Sequence, residues 1–235
     1  HMVKPKKHLG QHFLTDPGIA RRITDLVSGT GCNTILEIGP GKGILTENLI
    51  ERFEGRLTLI DLDEESIACL HDRYNKRDIK IIHGDFLRFS INELPSPVWI
   101  IGNFPYNISS QILFTILDHR DRVGKVTGML QKEVAQRSAS PPGNKQYGIL
   151  SVFLQAWYTI NIHFHVKPGS FFPPPKVDST VVELHRNGKQ KLGCNEDLFR
   201  KVVKAGFNQR RKQLGNSLKS IFLNLPTDDE IFNKR

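Results

Sequence analysis

Residues 34–53 restrict the fold more than any other stretch of this 235-residue chain. Thr34-Ile35-Leu36-Glu37-Ile38 has the length and apolar character of a buried strand. Gly39-Pro40-Gly41-Lys42-Gly43 is a tight glycine loop, and residues 44–53 carry apolar side chains at helical spacing: Ile44, Leu45, Leu49, Ile50 and Phe53. Strand, glycine loop and helix in that order describe the first turn of a doubly wound α/β sheet, where glycines let the backbone come close to a ligand. The loop reads G-x-G-x-G with Pro40 inside it, rather than the G-x-G-x-x-G of a dinucleotide fingerprint, so a nicotinamide site is a poor match.

The strands that follow end in chemistry. Leu57-Thr58-Leu59-Ile60-Asp61 closes on an acid suited to the two hydroxyls of a ribose, and residues 79–85 close on Asp85, placed for an adenine amine. Singly, each acid also reads as a helix cap or a solvated loop residue; three successive strand ends carrying glycines, an acid and an acid make a pocket the better reading. A fourth apolar run, residues 98–102, feeds into Asn103-Phe104-Pro105-Tyr106. An exocyclic amine of a purine is a poor nucleophile because its lone pair is delocalised into the ring. Two acceptors on its hydrogens, the Asn103 side-chain oxygen and the Phe104 carbonyl, favour the pyramidal form, Pro105 stiffens the turn, and Tyr106 holds the base by stacking. The plain alternative is a turn with Tyr106 packed over the strand edge.

These stretches, together with Gln11-His12-Phe13-Leu14, Gly84-Asp85 and Phe171-Phe172-Pro173-Pro174-Pro175-Lys176-Val177-Asp178-Ser179, resemble the KsgA-type rRNA adenine dimethyltransferases in order and spacing from about residue 6 to residue 218. The resemblance implies a Rossmann-like class I methyltransferase sheet with a small C-terminal helical domain. It implies S-adenosylmethionine as methyl donor and, as acceptors, two neighbouring adenines near the end of small-subunit rRNA within an immature 30S-type particle. On that reading Gly39 and Gly41 cradle the methionine end of the cofactor, Asp61 holds its ribose, Asp85 reads its adenine amine, and His12 and Leu14 close one side. Asn103, Phe104, Pro105 and Tyr106 then form the catalytic turn, with Phe171 against the target base opposite Tyr106. Phe172 is left open between pocket and core. Two positions depart from the family's habit: Asp61 stands where a glutamate is usual, and Phe104 where a leucine or isoleucine is usual.

Three segments are expected: a basic arm over residues 1–15, with His1-Met2 a remnant of cloning; a cofactor-binding methyltransferase domain over 16–186; and a helical RNA-binding domain over 187–235 that looks shortened at its end. Asp16-Pro17 reads as a helix cap and first helical position. Further helices are expected over 109–117 and 147–158, strands over 125–130 and 159–166, and a Pro/Gly loop over 138–146. Residues 177–185 read as a strand paired antiparallel with 159–166. Between residues 195 and 224, Arg200, Lys201, Lys204, Arg210, Arg211, Lys212 and Lys219 face only Glu196 and Asp197, a balance that suits phosphate contacts.

The net charge of +9, from 33 Lys and Arg against 24 Asp and Glu, suits a polyanionic partner. Cys32, Cys69 and Cys194 have neither zinc nor disulfide spacing and read as free thiols of a reducing cytoplasm. The histidines of His163-Phe164-His165 share a strand face but lack partners for a metal site, so no metal is expected. No apolar run reaches a membrane span, and a monomer is expected. A large-subunit rRNA methylase of the erythromycin-resistance type, an adenine-specific DNA methylase and an assembly factor that chiefly binds the ribosome share parts of this pattern.

Overall fold

The computed structural model describes residues 3–223; residues 1–2 of the expected arm and 224–235 of the expected helical domain lie outside the described residues. Its first half runs β1 (Phe13–Leu14), α1 (Pro17–Asp25), β2 (Thr34–Ile38), α2 (Thr46–Phe53), β3 (Leu57–Asp61), α3 (Glu64–Tyr74), β4 (Lys80–His83), β5 (Val98–Asn103) and α4 (Ser109–Asp118). The second half adds β6 (Val123–Gln131), α5 (Lys132–Ala139), α6 (Ile149–Trp157), β7 (Tyr158–Val166), β8 (Phe171–Phe172), β9 (Ser179–Arg186), α7 (Glu196–Asn208) and α8 (Leu214–Phe222).

Seven strands form one sheet in the order β4-β3-β2-β5-β6-β9-β7, with β4 through β6 parallel and β9 antiparallel to both its neighbours. The fold is therefore the expected α/β one. Both faces are covered, so the central strands are buried throughout instead of alternating. Successive residues of a strand point to opposite faces. Leu36, Ile60 and Ile100 accordingly pack on the side of α4 and α6, while Ile35, Leu59 and Trp99 pack on the side of α1 and α2. Strand order reverses between β2 and β5, and ligands of open α/β sheets bind beyond the carboxyl ends of the strands at such a switch point.

Most expected elements stand, with shifted ends. The helix expected from residue 44 begins at Thr46, because residues 40–43 wind into a turn closed by Gly43 N–H on the Pro40 carbonyl (2.8 Å). The strand expected over 79–85 stops at His83, and Gly84 turns back with its N–H on the Asp61 carbonyl (2.9 Å). Asp16 caps α1 through Oδ1, which accepts from Gly18 and Ile19 N–H (2.9 and 3.1 Å), and Pro17 opens the helix. The loop expected from residue 138 starts later, since α5 runs to Ala139; Asn144 Oδ1 then organises it by accepting from Gln146 and Tyr147 N–H. A register shift between Ile162 and Phe164 separates the two histidines of β7: His163 reaches Glu183 (3.3 Å) and His165 bonds Thr180 (2.7 Å). Among the described residues, no group of three or more His, Cys, Asp or Glu is disposed to hold a metal ion, and no helix is long and apolar enough to cross a membrane.

α7 and α8 follow the sheet and pack on each other. Asn195 caps α7, Phe199 lies against Phe153 of α6 (5.8 Å between ring centroids), and Arg120–Glu196 (2.7 Å) and Asp118–Arg200 (3.3 Å) tie α7 to the end of α4. Arg200 thus faces a carboxylate, while Lys201, Lys204, Arg211, Lys212 and Lys219 stand exposed.

Candidate active site

A cavity opens at the switch point, with about 840 Å³ of space when the open solvent at its mouth is counted. Strand ends make one wall: Gly39 after β2, Asp61 at the end of β3, Asp85 after β4 and Asn103 at the end of β5. The opposite wall is the arm, residues 9–13, including His12. Phe104, Pro105 and Tyr106 complete the rim.

Each polar group at this site is held by a definite partner. Asp61 is buried, and burial raises its carboxyl above the ordinary aspartate range; backbone N–H groups of Asp63 (2.9 Å) and Gly41 (3.1 Å) work against that rise, one on each oxygen. Gly41 therefore acts on the acid from outside the cavity. Its positive φ and the Phe13 ring, 2.8 Å from where a Cβ would sit, both require glycine. Asp85 Oδ1 accepts from Leu87 N–H (3.0 Å). Asn103 donates Nδ2–H to the His12 carbonyl (2.8 Å), which commits the donor end of the amide and leaves Oδ1 as the end offered to a ligand. His12 donates Nδ1–H to the Pro173 carbonyl (2.8 Å), and its ring lies 5.1 Å from that of Tyr106 at an interplanar angle of 37°. The Tyr106 hydroxyl bonds Ser179 Oγ; burial, chiefly, raises its pKa.

The arm is tied down along its length. Lys6 Nζ pairs with Asp63, whose side chain is inaccessible, and lies 3.3 Å from Glu65. Lys6 N–H donates to Gln11 Oε1 (2.7 Å), and Thr15 N–H to the Ser170 carbonyl (2.8 Å). β1 pairs antiparallel with β8, matching Phe13 to Phe172 and Leu14 to Phe171. That register decides the two phenylalanines. Phe171 is 4 % exposed and sits in the core with Leu14, Val166 and Val181, whereas Phe172 is 58 % exposed. The ring facing Tyr106 is consequently His12, and Phe171 is not brought to the cavity wall.

Of the residues expected to hold the cofactor, His12, Gly39, Asp61, Asp85 and Asn103 line the cavity. Leu14 instead lines a smaller adjoining recess, with Gly39, Asn103 and Glu37. Glu37 is not among the site residues expected from the sequence. It is buried in β2, its Oε2 accepts from Thr46 Oγ1 (2.7 Å), and its Oε1 has no partner. Burial pushes its pKa up to about 8. An orphaned carboxyl oxygen at this recess, on a group that gives up its proton when a cation arrives, fits an ammonium donor such as the amino-acid end of S-adenosylmethionine, with Asp61 fitting the diol. The sequence signal was present: a charged residue inside an otherwise apolar strand.

A family profile described as ribosomal RNA adenine dimethylase matches residues 2–233. The chain is 51 % identical over 221 residues to a ribosomal RNA small subunit methyltransferase A of Parabacteroides distasonis (94 % of this chain, 83 % of the relative). It is 50 % identical over 236 residues to one of Cytophaga hutchinsonii (99 % and 92 %). Among solved structures, a dimethyladenosine transferase from Plasmodium falciparum is similar at a TM-score of 0.77 and 26 % identity (93 % and 84 % covered). The 23S rRNA methyltransferase ErmE is similar at 0.72 and 25 % (88 % and 84 %). With the glycine loop, the strand-end acids and the Asn-Phe-Pro-Tyr turn meeting at one cavity, and with a match spanning nearly the whole sequence, the chain belongs to the ribosomal RNA adenine dimethylase family.

Proposed function

We propose that this chain dimethylates N6 of two adjacent adenines near the 3′ end of small-subunit rRNA, using S-adenosylmethionine. The two relatives near 50 % identity are both named small-subunit methyltransferases, while the large-subunit enzyme ErmE stands at 25 %, which favours the small-subunit acceptor. The acceptor is read as an immature 30S-type particle in the cytoplasm, met by a monomer whose arm and C-terminal helices (residues 187–223 of the described chain) supply phosphate contacts through exposed lysines and arginines.

When bound, the cofactor supplies an electrophilic sulfonium methyl. Asp61 accepts the ribose hydroxyls, Asp85 the adenine amine, and Glu37 the ammonium. Gly39 gives backbone room at the loop, Gly41 steadies Asp61, and His12 and Leu14 bound the site from the arm. Asn103 Oδ1 and the Phe104 carbonyl accept the two hydrogens of the target amine, localising its lone pair for in-line attack. Pro105 stiffens the turn, and Tyr106 stacks on the base from a hydroxyl moored to Ser179. Phe171 acts from below, as the core residue that seats the β1–β8 pair. Catalysis by positioning and charge placement needs no general base before attack, since the aminium product loses its proton to solvent.

The observation that carries this reading is the Asn103 amide, oriented by the His12 carbonyl in a cavity shared with Asp61 and Asp85. Asn103→Ala is expected to lower methyl incorporation into unmethylated small subunits by at least about 10²-fold, with cofactor affinity changed far less. Near-normal incorporation of tritiated methyl by that variant would remove Asn103 from the chemistry.

A further inference from the structure

Phe104 is 1 % exposed, and its ring rests on two strands that both lack a side chain beneath it. Gly102 of β5 and Gly128 of β6 are register partners in the middle of the sheet, where glycine weakens a strand unless something needs the space. A Cβ on Gly128 would lie 2.8 Å from Phe104 Cε2 and 3.2 Å from Cζ. On Gly102 it would meet Phe104 Cε1 at 3.1 Å, and the Ile38 carbonyl oxygen at 2.4 Å. Phe104 N–H also donates to the carbonyl of Met129, the next residue of β6 (3.1 Å). Ring and backbone of Phe104 are thus both seated on β6.

We propose that Gly128 is a positioning residue for methyl transfer, matched in volume to Phe104. This rests on the reading that the Phe104 carbonyl grips the target amine. A side chain on Gly128 displaces the ring by van der Waals overlap, and the ring is attached to the residue whose carbonyl must be in place. Misplacing such an acceptor by about 1 Å costs on the order of 10²-fold in rate. Gly102 differs in kind. Its neighbour is backbone, so a smaller residue at 104 does not make room for a side chain there.

The test is a set of variants: Gly128→Ala, Phe104→Leu, the double variant Phe104→Leu/Gly128→Ala, and Phe104→Leu/Gly102→Ala. Each is assayed for kcat on unmethylated small subunits, cofactor Kd by calorimetry and thermal midpoint. Gly128→Ala is expected to lose roughly 10- to 100-fold in kcat with Kd within about threefold of wild type. In the Phe104→Leu background the same alanine is expected to be neutral or to raise kcat, while Gly102→Ala remains damaging. Wild-type kcat in Gly128→Ala overturns the proposal. Should Gly128→Ala not fold, the double variant decides: folding and turning over at least as well as Phe104→Leu supports the pairing, and failing to do so overturns it. An inactive wild type on small subunits would instead strike the reading of the acceptor, leaving the two failures separate.

Discussion

The two walls of the cavity are built by different physics. The strand-end wall is the terminus of a sheet buried on both faces; Asp61, Gly39 and Asn103 are placed by β2, β3 and β5, which the core holds in register. The arm has little core of its own. Its place is set by Lys6 on Asp63, His12 on Asn103 and Pro173, and a two-residue strand. A wall with many buried contacts opens only with the whole domain, whereas one held by a few polar links opens at lower cost. On the proposed reading, cofactor geometry belongs to the sheet, and access to the arm.

The most severe way to break this contrast is where Leu14 of the arm reaches the core beside Phe171. Phe171→Ala is expected to destabilise the protein by about 3–5 kcal/mol, and Phe172→Ala by within about 0.5 kcal/mol, in denaturant titrations. Equal losses would show that the β1–β8 register is not the one described. Next in size, Asp61→Ala should weaken cofactor binding by on the order of 10²-fold, because hydrogen bonds to a charged acceptor are the stronger kind. An affinity close to wild type in calorimetry would take the ribose from Asp61.

Glu37 sharpens the contrast through pH. The folded pKa near 8 lies above the ordinary value of 4.5, so the folded state keeps a proton that the unfolded chain releases. Stability from this group is then full below about pH 4.5 and declines as pH rises toward about 8. Glu37→Gln should flatten that decline, giving a higher thermal midpoint than wild type at pH 8 without cofactor, while lowering cofactor affinity roughly tenfold. Parallel pH profiles of the two proteins would contradict the assignment. The smallest effect on binding is expected at the arm: Lys6→Ala should speed cofactor release about two- to fivefold in stopped flow, with some loss of stability as well, because the inaccessible Asp63 carboxylate is left without its cation. No change in release would mean that Lys6 does not hold the arm.

Local patterns were legible in the sequence. Residues 34–43 show their strand and glycine loop because both are decided by neighbours in the chain, and Asp61, Asp85 and Asn103 follow from where strands end. Phe171 and Phe172 were not separable, since their facing depends on pairing with Phe13 and Leu14 more than 150 residues away. Helix α5 has no local mark for a similar reason: the first residue after β6 has its N–H fixed by the Asp178 carbonyl (2.9 Å), a distant partner. Glu37 is visible as a charge in an apolar strand, but that one of its oxygens lacks a partner depends on how α2 packs. Gly128 carries no local sign of its purpose, because the ring it accommodates belongs to another strand.

The β1–β8 pair has a consequence for synthesis. A chain made from its amino end exposes residues 13 and 14 early, yet their strand partner emerges only after Phe172 has been added. Throughout that interval the nascent sheet can gather its acids and its glycine loop, but the near side of the cavity has only its links to Asp63 and Asn103, without the strand partner of β1 or the Pro173 carbonyl that takes His12. Competence to enclose a ligand is therefore acquired late, close to the moment at which β9 enters the sheet and Ser179 reaches Tyr106.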